Sequence, residues 1–576
     1  MKTRRSCISA AIAAFIPVMA SAAQAAVAAD GSGTSRPERA PSIPHLEQSN
    51  GVTHLIVNGK PFVMLAGEVH NSSSSSLAYM EPIWDRLQAG SLNTALCPLS
   101  WEQVEPEEGQ FDLSLVDGLI KQASEHKMRL VFLWFGTWKN TYSTYAPGWV
   151  KTNPKHFPRS QLVPELLSGA LSPFGEETCK ADARAFAAVM RRIKQVDGKQ
   201  HTVIAIQVEN EVGILNGMRD VSPLANAAFA KSVPPALMDY LQAHRDNLTP
   251  WAKTAWIEKG AKTKGIWTEV FGDDAEEAFM GWYTAGYVGR VAAAGKQEYP
   301  LPMFANAWMA RDSRGGGYPV GGPNHKTLDF WKAAAPSIDA CAPDIGSGAG
   351  FRADCAKFHR SDNPLIVPET GVNGFNACYA VFQHNALCFS PFGIDYFSGG
   401  PMADAYAFLE RAYPVIAPYQ GTDKLIAVLQ TGPDGKEVAL SNYRVKITFN
   451  RPDPSAPAVP RPGEPAAAQP ATPAEPARGF VLWLGANEYV VGGAGFTVQF
   501  GLPPGVSGVP GHKFDYEMDY LSDHEGTFED GVWLPGRRLN GDEHNVPVTS
   551  DARFRGSVIR MGDTLGFRRV KLLSFN

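Results

Sequence analysis

Apolar and polar positions alternate in two different ways along the chain, and the change falls near residue 420. Between about 46 and 420, short apolar runs alternate with longer stretches in which apolar residues recur at helical spacing. This order is typical of a parallel sheet covered by helices. The strand-like runs are FVMLAGEV, LNTALCPLSW, RLVFLWFG, TVIAIQVE, LPMFANAW, SIDACAPDI, PLIVPET and NALCFSPFGID. They predict an α/β fold, a (β/α)8 TIM barrel over residues 46–420. A doubly wound open sheet is the alternative, but no GxGxxG motif opens the first βα unit.

Beyond residue 420 the chain consists of strand-like runs that Gly and Pro interrupt at short intervals, without convincing helices. This texture predicts an antiparallel β-sandwich or jelly-roll domain over residues 421–576. Residues 451–478 are rich in Pro and Ala and have almost no large apolar side chain. Such a segment cannot bury enough surface to order itself, so we interpret it as a flexible loop within the β-domain.

The first residues have the pattern of an export signal. Lys2, Arg4 and Arg5 precede an apolar stretch over residues 8–19, and small residues follow. We therefore predict a signal peptide over residues 1–25, a flexible lead-in over 26–45 and an exported protein, periplasmic or secreted. The apolar stretch is short for a bilayer, and no later segment approaches ~20 apolar residues, so no membrane span is expected.

Composition narrows the range of partners. The net charge is −5 with both signs interspersed, which excludes the basic footprint of a nucleic-acid binder. The sequence has no CxxC or HExxH motif, so we predict neither a metal site nor a cofactor.

In an oxidising compartment, Cys378 with Cys388 or Cys341 with Cys355 are the nearest disulfide candidates, and buried thiols are the alternative. A homo-oligomer is compatible with the sequence.

Two of the predicted barrel strands end in carboxylates. The apolar run 203–208 is followed by Glu209, Asn210 and Glu211, and the run PLIVPET ends near Glu369. In a barrel the carboxyl ends of the strands form the active face. In an ideal strand Glu209 and Glu211 share one side, because side chains alternate. Cleavage of a glycosidic bond requires two carboxyl groups, and two different strands supply them here. For Glu211 alone, a salt-bridged carboxylate at a strand end is an equal alternative.

Four further residues at or just beyond predicted strand ends are candidates for binding a sugar. His70 and Asn140 have polar groups that suit hydroxyls, and the indoles of Trp138 and Trp308 suit the apolar face of a sugar ring. Core packing is the competing interpretation for each Trp, and loop capping for the two polar residues.

Three segments carry the pattern of a known family: QVENEVG at 207–213, LNTALCPLSWEQVEPEEGQFDLS at 92–114 and FSPFGID at 389–395. Together they resemble glycoside hydrolase family 35, the β-galactosidases of a large clan of retaining barrel enzymes. The resemblance implies that Glu211 is the acid/base and Glu369 the nucleophile. It also implies that Asn210 binds the hydroxyl beside the reacting carbon, that Glu209 contacts further sugar hydroxyls, and that His70 touches the sugar. The β-domain resembles the accessory domain of a bacterial subgroup.

The implied activity is that of a retaining exo-β-galactosidase, which removes terminal non-reducing β-D-galactosyl residues from oligosaccharides such as xyloglucan fragments. The partner is then an oligosaccharide with terminal galactose. For this chemistry we expect burial and the charge of Glu369 to raise the pKa of Glu211, while Glu369 stays ionised. Val212 stands where many relatives have Tyr, which affects the expected sugar more than the reaction. The alternatives are another retaining β-glycosidase or endo-glycanase on the same barrel, and a non-catalytic sugar-binding protein.

Overall fold

The computed structural model describes residues 42–311, 316–450, 475–501, 518–540, 543 and 558–574. The predicted signal peptide over 1–25 lies outside the described residues, as does most of the predicted lead-in, 26–41. Of the predicted Pro/Ala-rich loop, residues 451–474 also lie outside them.

Eight parallel strands form a closed barrel in which neighbours in sequence are neighbours in space. They are β1 (Met64–Glu68), β2 (Thr94–Ser100), β3 (Arg129–Lys139), β4 (Val203–Asn210), β5 (Met303–Trp308), β6 (Ala340–Ile345), β7 (Ile366–Thr370) and β8 (Cys388–Pro391). The predicted (β/α)8 barrel is confirmed, and the open-sheet alternative is wrong.

Each barrel strand is followed by a helix that covers the outside of the barrel. The helices are α1 (Leu77–Ala89), α2 (Ser114–Glu125), α3 (Glu176–Asp197), α4 (Ala275–Glu298), α5 (Leu328–Ala334), α6 (Phe351–Phe358), α7 (Gly374–His384) and α8 (Pro401–Ile416). In α1, Met80, Ile83, Trp84 and Leu87 are buried at the i, i+3, i+4 and i+7 spacing that forms one apolar face. Ser76 caps this helix by accepting a hydrogen bond from the Tyr79 N–H.

Several shorter elements lie outside the regular strands and helices of the barrel. Leu55 and Val57, in a small antiparallel sheet before β1, pack onto the apolar interior of the barrel. The sheet comprises His45–Ser49, Val52–Val57 and Lys60–Phe62. A hairpin of Arg159–Val163 and Leu166–Leu171 lies between β3 and α3. Between β4 and α4, an insertion with its own apolar cluster contains the helices Pro223–Phe229, Pro235–Ala243, Pro250–Ala252 and Trp267–Phe271 and the π-helix Lys253–Ile257. Other short helices are Ser73–Ser75, Trp101–Val104, Gly148–Lys151, Arg245–Asn247, Gly272–Asp274, Ile394–Tyr396 and Ala417–Tyr419.

The carboxyl-terminal part contains two antiparallel sheets, in agreement with the predicted β-domain. The six-stranded sheet contains Leu425–Leu429, Arg478–Gly485, Glu488–Ala494, Gly566–Ser574, Met518–Glu529 and Val532–Arg538, and the four-stranded sheet Lys436–Leu440, Tyr443–Phe449, Phe496–Gly501 and Val558–Arg560. Side-chain alternation gives the first sheet two apolar faces. Phe480 and Leu482 join the large cluster that includes the barrel helices, whereas Val481 joins the cluster between the two sheets.

The six cysteines from Cys97 to Cys388 are buried and unpaired, so neither candidate disulfide is formed. Burial raises the pKa of the Cys341 thiol to about 11, which keeps it protonated and unreactive. Among the described helices, none combines the length and apolar character needed to cross a bilayer.

Candidate active site

Three carboxylates meet at the carboxyl ends of the barrel strands. Glu211 directly follows β4, Asp344 lies in β6 and Glu369 lies in β7. Each offers an oxygen within 4.8 Å of an oxygen of the other two. Asp344 and Glu369 are paired in register on neighbouring strands, so their side chains reach the same level of the barrel. The structure therefore brings together the two carboxylates that the sequence singles out, and it adds a third.

Contacts from three strands hold Glu211 in place. Asn140, just beyond β3, donates a side-chain hydrogen bond to Glu211 Oε2. The backbone N–H of Glu211 donates to Asn306 Oδ1 at 3.0 Å, and Asn306 Nδ2 donates to Asp344 Oδ2 at 2.8 Å. Glu211 has a φ of 46°, a left-handed conformation that costs free energy in a residue other than glycine. The surrounding hydrogen bonds therefore fix both its backbone and its carboxylate.

Asn140 reaches Glu211 because a tight turn follows β3. Lys139 and Tyr142 exchange backbone hydrogen bonds of 2.8 and 3.0 Å across the two residues between them. Those two residues, Asn140 and Thr141, have φ angles of 50° and 66°. Two positive φ values in a row define a primed turn, and Asn is one of the residues that tolerates it. Asn140 is thus both the turn residue and the partner of Glu211.

Burial and the neighbouring charge of Glu211 raise the pKa of Glu369 to about 7. Burial is the largest cause and the negative charge of Glu211 is the second, because both disfavour the ionised form. The Lys139 ammonium, at the end of β3, opposes them. The sequence led us to expect the raised pKa on Glu211 and an ionised Glu369. In the structure the nucleophile candidate itself carries a raised pKa.

Two more carboxyls share this electrostatic environment. Burial, and next the charge of Glu369, raise the pKa of Glu68 and of Asp344 well above the usual range. Both oxygens of Glu68, at the end of β1, are buried without a hydrogen-bond partner among the described residues. Asp344 is in side-chain hydrogen-bond contact with Glu211. Since ionised carboxylates only accept hydrogen bonds, this contact requires a proton on one of the two carboxyl groups.

Glu209, which the resemblance predicts to contact sugar hydroxyls, lies buried behind the end of β3. Its side chain is completely buried, and its two oxygens accept the backbone N–H groups of Thr137 and Trp138 at 3.1 and 2.7 Å. It also contacts Asp182 of α3, and burial followed by the Asp182 charge raises the pKa of Glu209. The φ of 64° at Glu209 breaks the regular alternation, so Glu209 and Glu211 do not share one side.

A glycine makes room for the Glu209 carboxylate. A Cβ on Gly136 would lie 2.7 Å from both Glu209 Oε1 and Asp182 Oδ1 and 2.3 Å from Trp134 Nε1. All three distances are too short for real contacts. Gly136 therefore allows a pair of buried acids to support the end of β3 from behind.

Trp138 does not line the site either. It is 3% exposed, donates from Nε1 to the Leu171 carbonyl at 3.1 Å and packs edge-on against Tyr287. The core interpretation is therefore correct for this residue. Trp308 is 40% exposed at the end of β5, in register with Asp344, so its indole is available at the rim of the barrel.

His70 and Asn210 stay close to the strand ends. The half-exposed ring of His70 contacts Asp395 through Nδ1 at 2.7 Å, which leaves Nε2 for another partner. Asp395 also accepts hydrogen bonds from the His70 backbone and from Ser73 Oγ, so it fixes the loop after β1. Asn210 is fully buried, and both polar atoms of its side chain lack a partner among the described residues.

Sequence reasoning missed Glu68, Lys139, Asn306 and Asp344. Glu68 and Asp344 close apolar runs in the same way as Glu211 and Glu369 do, so the strand-end rule applies to them as well. Lys139 is the single charged residue that ends the long apolar run of β3. Asn306 lies inside a strand, and only the three-dimensional contacts reveal its part.

Glu211, Asp344 and Glu369 are also spaced so that they could hold a cation. Calcium takes about six to eight oxygen ligands and magnesium about six, of which these residues offer three. A cation there would occupy Glu211 and Glu369, the two carboxylates that the sequence predicts for glycoside cleavage. A separate cavity of about 1000 Å3, lined by Trp251, Lys326 and Arg360 among others, contains none of the three carboxylates.

Comparison with known families links the barrel to glycosidases. A glycoside hydrolase family 42 model, described as β-galactosidase, matches residues 86–259, a range that includes Glu211. A model described as a domain of unknown function (DUF5597) matches residues 402–548, which span α8 and much of the β-domain. Family 42 belongs to the same clan as family 35. The β-galactosidase match supports glycosidase activity. A comparison with curated proteins found no match.

Several solved structures are similar at low identity. The catalytic domain of β-amylase from Paenibacillus polymyxa is 12% identical with a TM-score of 0.41, over 57% of this chain and 92% of that one. The β-galactosidase from Bacillus circulans sp. alkalophilus is 12% identical with a TM-score of 0.41, over 61% and 56%. The β-galactosidase from Rahnella sp. R3 is 14% identical with a TM-score of 0.38, over 57% and 50%. The chain thus covers only about half of the length of these two β-galactosidases.

Proposed function

We propose that the protein is an exported retaining β-galactosidase of the family 35 type, which removes terminal β-galactosyl residues. The observation that carries the proposal is the separation of Glu211 and Glu369, whose nearest carboxylate oxygens lie within 4.8 Å at the active end of the barrel. Retaining glycosidases have carboxyl groups about 5–5.5 Å apart, whereas inverting enzymes need about 6.5–9.5 Å to admit a water molecule. The short separation supports a double displacement.

In the first step a Glu369 oxygen attacks the anomeric carbon while the bond from this carbon to the leaving oxygen breaks. Glu211 transfers its proton to that oxygen, so the leaving group departs as a neutral alcohol. In the second step Glu211 removes a proton from water, the water oxygen bonds to the anomeric carbon, and the ester bond to Glu369 breaks. The protein then returns to its starting protonation state, and galactose leaves with its original anomeric configuration.

The environment of the pair supports these roles. Asp344 and Asn140 contact the Glu211 carboxyl group from two sides and hold it in place. The unpartnered amide of Asn210 suits a sugar hydroxyl, which would supply the hydrogen bonds that this buried group lacks. The exposed indole of Trp308 suits the apolar face of a sugar.

A panel of nitrophenyl glycosides tests the proposal. We expect turnover of the β-galactoside, and much slower turnover of the β-glucoside, β-mannoside and β-xyloside. Glu369→Ala and Glu211→Ala should each lower kcat by at least about a hundredfold, since each removes a reacting group. Glu125→Ala, which changes an exposed carboxylate on α2, is the matched control and should leave kcat unchanged.

The alternatives predict different results in the same panel. Another β-glycosidase would favour a different glycoside, and an endo-glycanase would cleave polymers but not these small substrates. A non-catalytic sugar-binding protein would bind galactose and turn over none of the panel. Added azide should restore turnover to Glu211→Ala as galactosyl azide if Glu211 is the acid/base, because azide needs no base to attack.

A further inference from the structure

The hairpin between β3 and α3 exposes apolar side chains where polar ones are usual. Val163, Leu166 and Leu167, which flank its turn, are 52%, 55% and 52% exposed. Val163 pairs with Leu166, and Leu167 follows Leu166, so the three exposed residues surround the tip of the hairpin. Contiguous exposed apolar side chains on a soluble protein commonly mark a binding site.

This hairpin is one wall of a small cavity of about 220 Å3. Leu162, Leu166 and Leu167 line it from the hairpin, and Tyr142 and Leu215 line it from the loops after β3 and β4. Among the described residues, no charged side chain lines the cavity. Its size is below the ~300–1,000 Å3 of pockets for drug-sized ligands, so it suits a single ring or a short chain.

A second glycine shapes this wall. A Cβ on Gly169 would lie 2.6 Å from the ring of Tyr142, which is too close for a real contact. Gly169 therefore lets the half-exposed Tyr142 ring lie directly against the hairpin. The wall is built by this contact as well as by the leucines.

The cavity lies beside the two loops that carry Asn140 and Glu211. Its lining includes Thr141 and Gly213. Thr141 follows Asn140, which donates to Glu211, and Gly213 is two residues beyond Glu211. In the proposed reaction Glu211 protonates the leaving oxygen, so the leaving group occupies the space beside Glu211.

We propose that this cavity is the leaving-group subsite and that it takes an apolar aglycone, an aryl or alkyl group, rather than a second sugar. This inference rests on the proposed β-galactosidase function. The polar side chains of the lining are Thr141, Tyr142, Ser168 and Asn216, and its apolar wall is formed by Leu162, Leu166, Leu167 and Leu215. The hydroxyls of a sugar that meet this leucine wall would have no partners there, which disfavours binding. The Ser168 hydroxyl on the wall already bonds with the backbone of Ala170.

Alkyl β-galactosides from methyl to hexyl test the inference, because their leaving alcohols have nearly equal acidity and differ mainly in apolar surface. In the wild type kcat/KM should rise by up to about fourfold for each methylene that becomes buried, until the cavity is filled. The double substitution Leu166→Ser with Leu167→Ser should remove most of this rise. Hydrolysis of the galactosyl–Glu369 intermediate should keep its rate, since the aglycone has left by then.

Leu224→Ser is the matched control, since Leu224 is 51% exposed in the insertion after β4 and does not line the cavity. It should keep the wild-type dependence on chain length. If the protein cleaves nitrophenyl β-galactoside but its kcat/KM is the same for every alkyl chain length, the aglycone inference alone would be overturned. Faster cleavage of a galactosyl disaccharide than of hexyl galactoside would overturn it too. Absence of turnover with every galactoside would overturn the proposed function instead.

Discussion

Replacing Glu211 by Gln should move the ionisation of Glu369 to lower pH. The pKa of Glu369 is about 7 in place of the usual 4.5, a rise of roughly 2.5. Burial is the largest cause, the charge of Glu211 is the second, and Lys139 opposes both. Glu211→Gln removes the charge and keeps the shape, and the pKa of Glu369 should fall by roughly one pH unit, equivalent to about 1.4 kcal/mol.

The assay is the pH dependence of kcat/KM with 2,4-dinitrophenyl β-galactoside, whose leaving group needs no proton. Only the ionised form of Glu369 attacks, so activity falls as pH drops through its pKa. The acid limb should lie near pH 7 in the wild type and near pH 6 in Glu211→Gln. Glu125→Gln, on the surface of α2, should leave the limb in place. A limb that stays fixed or moves upward in Glu211→Gln would refute the electrostatic coupling of the two residues.

Three further predictions follow from the contacts around the site. Asp344→Asn keeps a hydrogen-bond donor beside Glu211, and Asp344→Ala does not. With methyl β-galactoside as substrate, kcat/KM should therefore fall about tenfold more in the Ala variant. Equal losses in the two variants would contradict the role of the hydrogen bond between Asp344 and Glu211. Burial and neighbouring charges raise the pKa of Glu68, so its protonated folded state loses stability as pH rises above the usual 4.5. Glu68→Gln should therefore raise Tm more at pH 8 than at pH 5 in calorimetry, and the opposite order would contradict the assignment. Gly136→Ala should lower the free energy of unfolding, measured in urea, by about 1–3 kcal/mol, because the new Cβ has no room. Gly286→Ala, at a helical position with open space, should be neutral or stabilising. Similar effects of the two substitutions would contradict this packing difference.

The barrel was predictable because each of its strands is a short apolar run that precedes an amphipathic helix. The same pattern locates Glu211 and Glu369, since a carboxylate at the end of such a run lies at the active face. Side-chain direction at the strand ends was not predictable in this way. Glu209 turns away because positive φ angles at Glu209 and Glu211 interrupt the alternation, and tertiary hydrogen bonds stabilise those angles.

Trp138 shows the same limit. The pairing of β3 with β4 shifts register between Trp134 and Lys139, so counting positions along β3 gives the wrong face. The pKa values depend on groups from separate strands, and Asp344 and Lys139 act on Glu211 and Glu369 only after the barrel closes. Local sequence therefore gives the position of each acid, while the protonation pattern is a property of the assembled site.

The most direct test of the account is the mass of the protein after reaction with 2,4-dinitrophenyl 2-deoxy-2-fluoro-β-D-galactoside, which slows hydrolysis of a glycosyl intermediate. We expect a mass increase of one fluorodeoxygalactosyl group, located by peptide mapping on Glu369. An adduct on a different residue, or none while the protein turns over ordinary β-galactosides, would contradict covalent capture by Glu369.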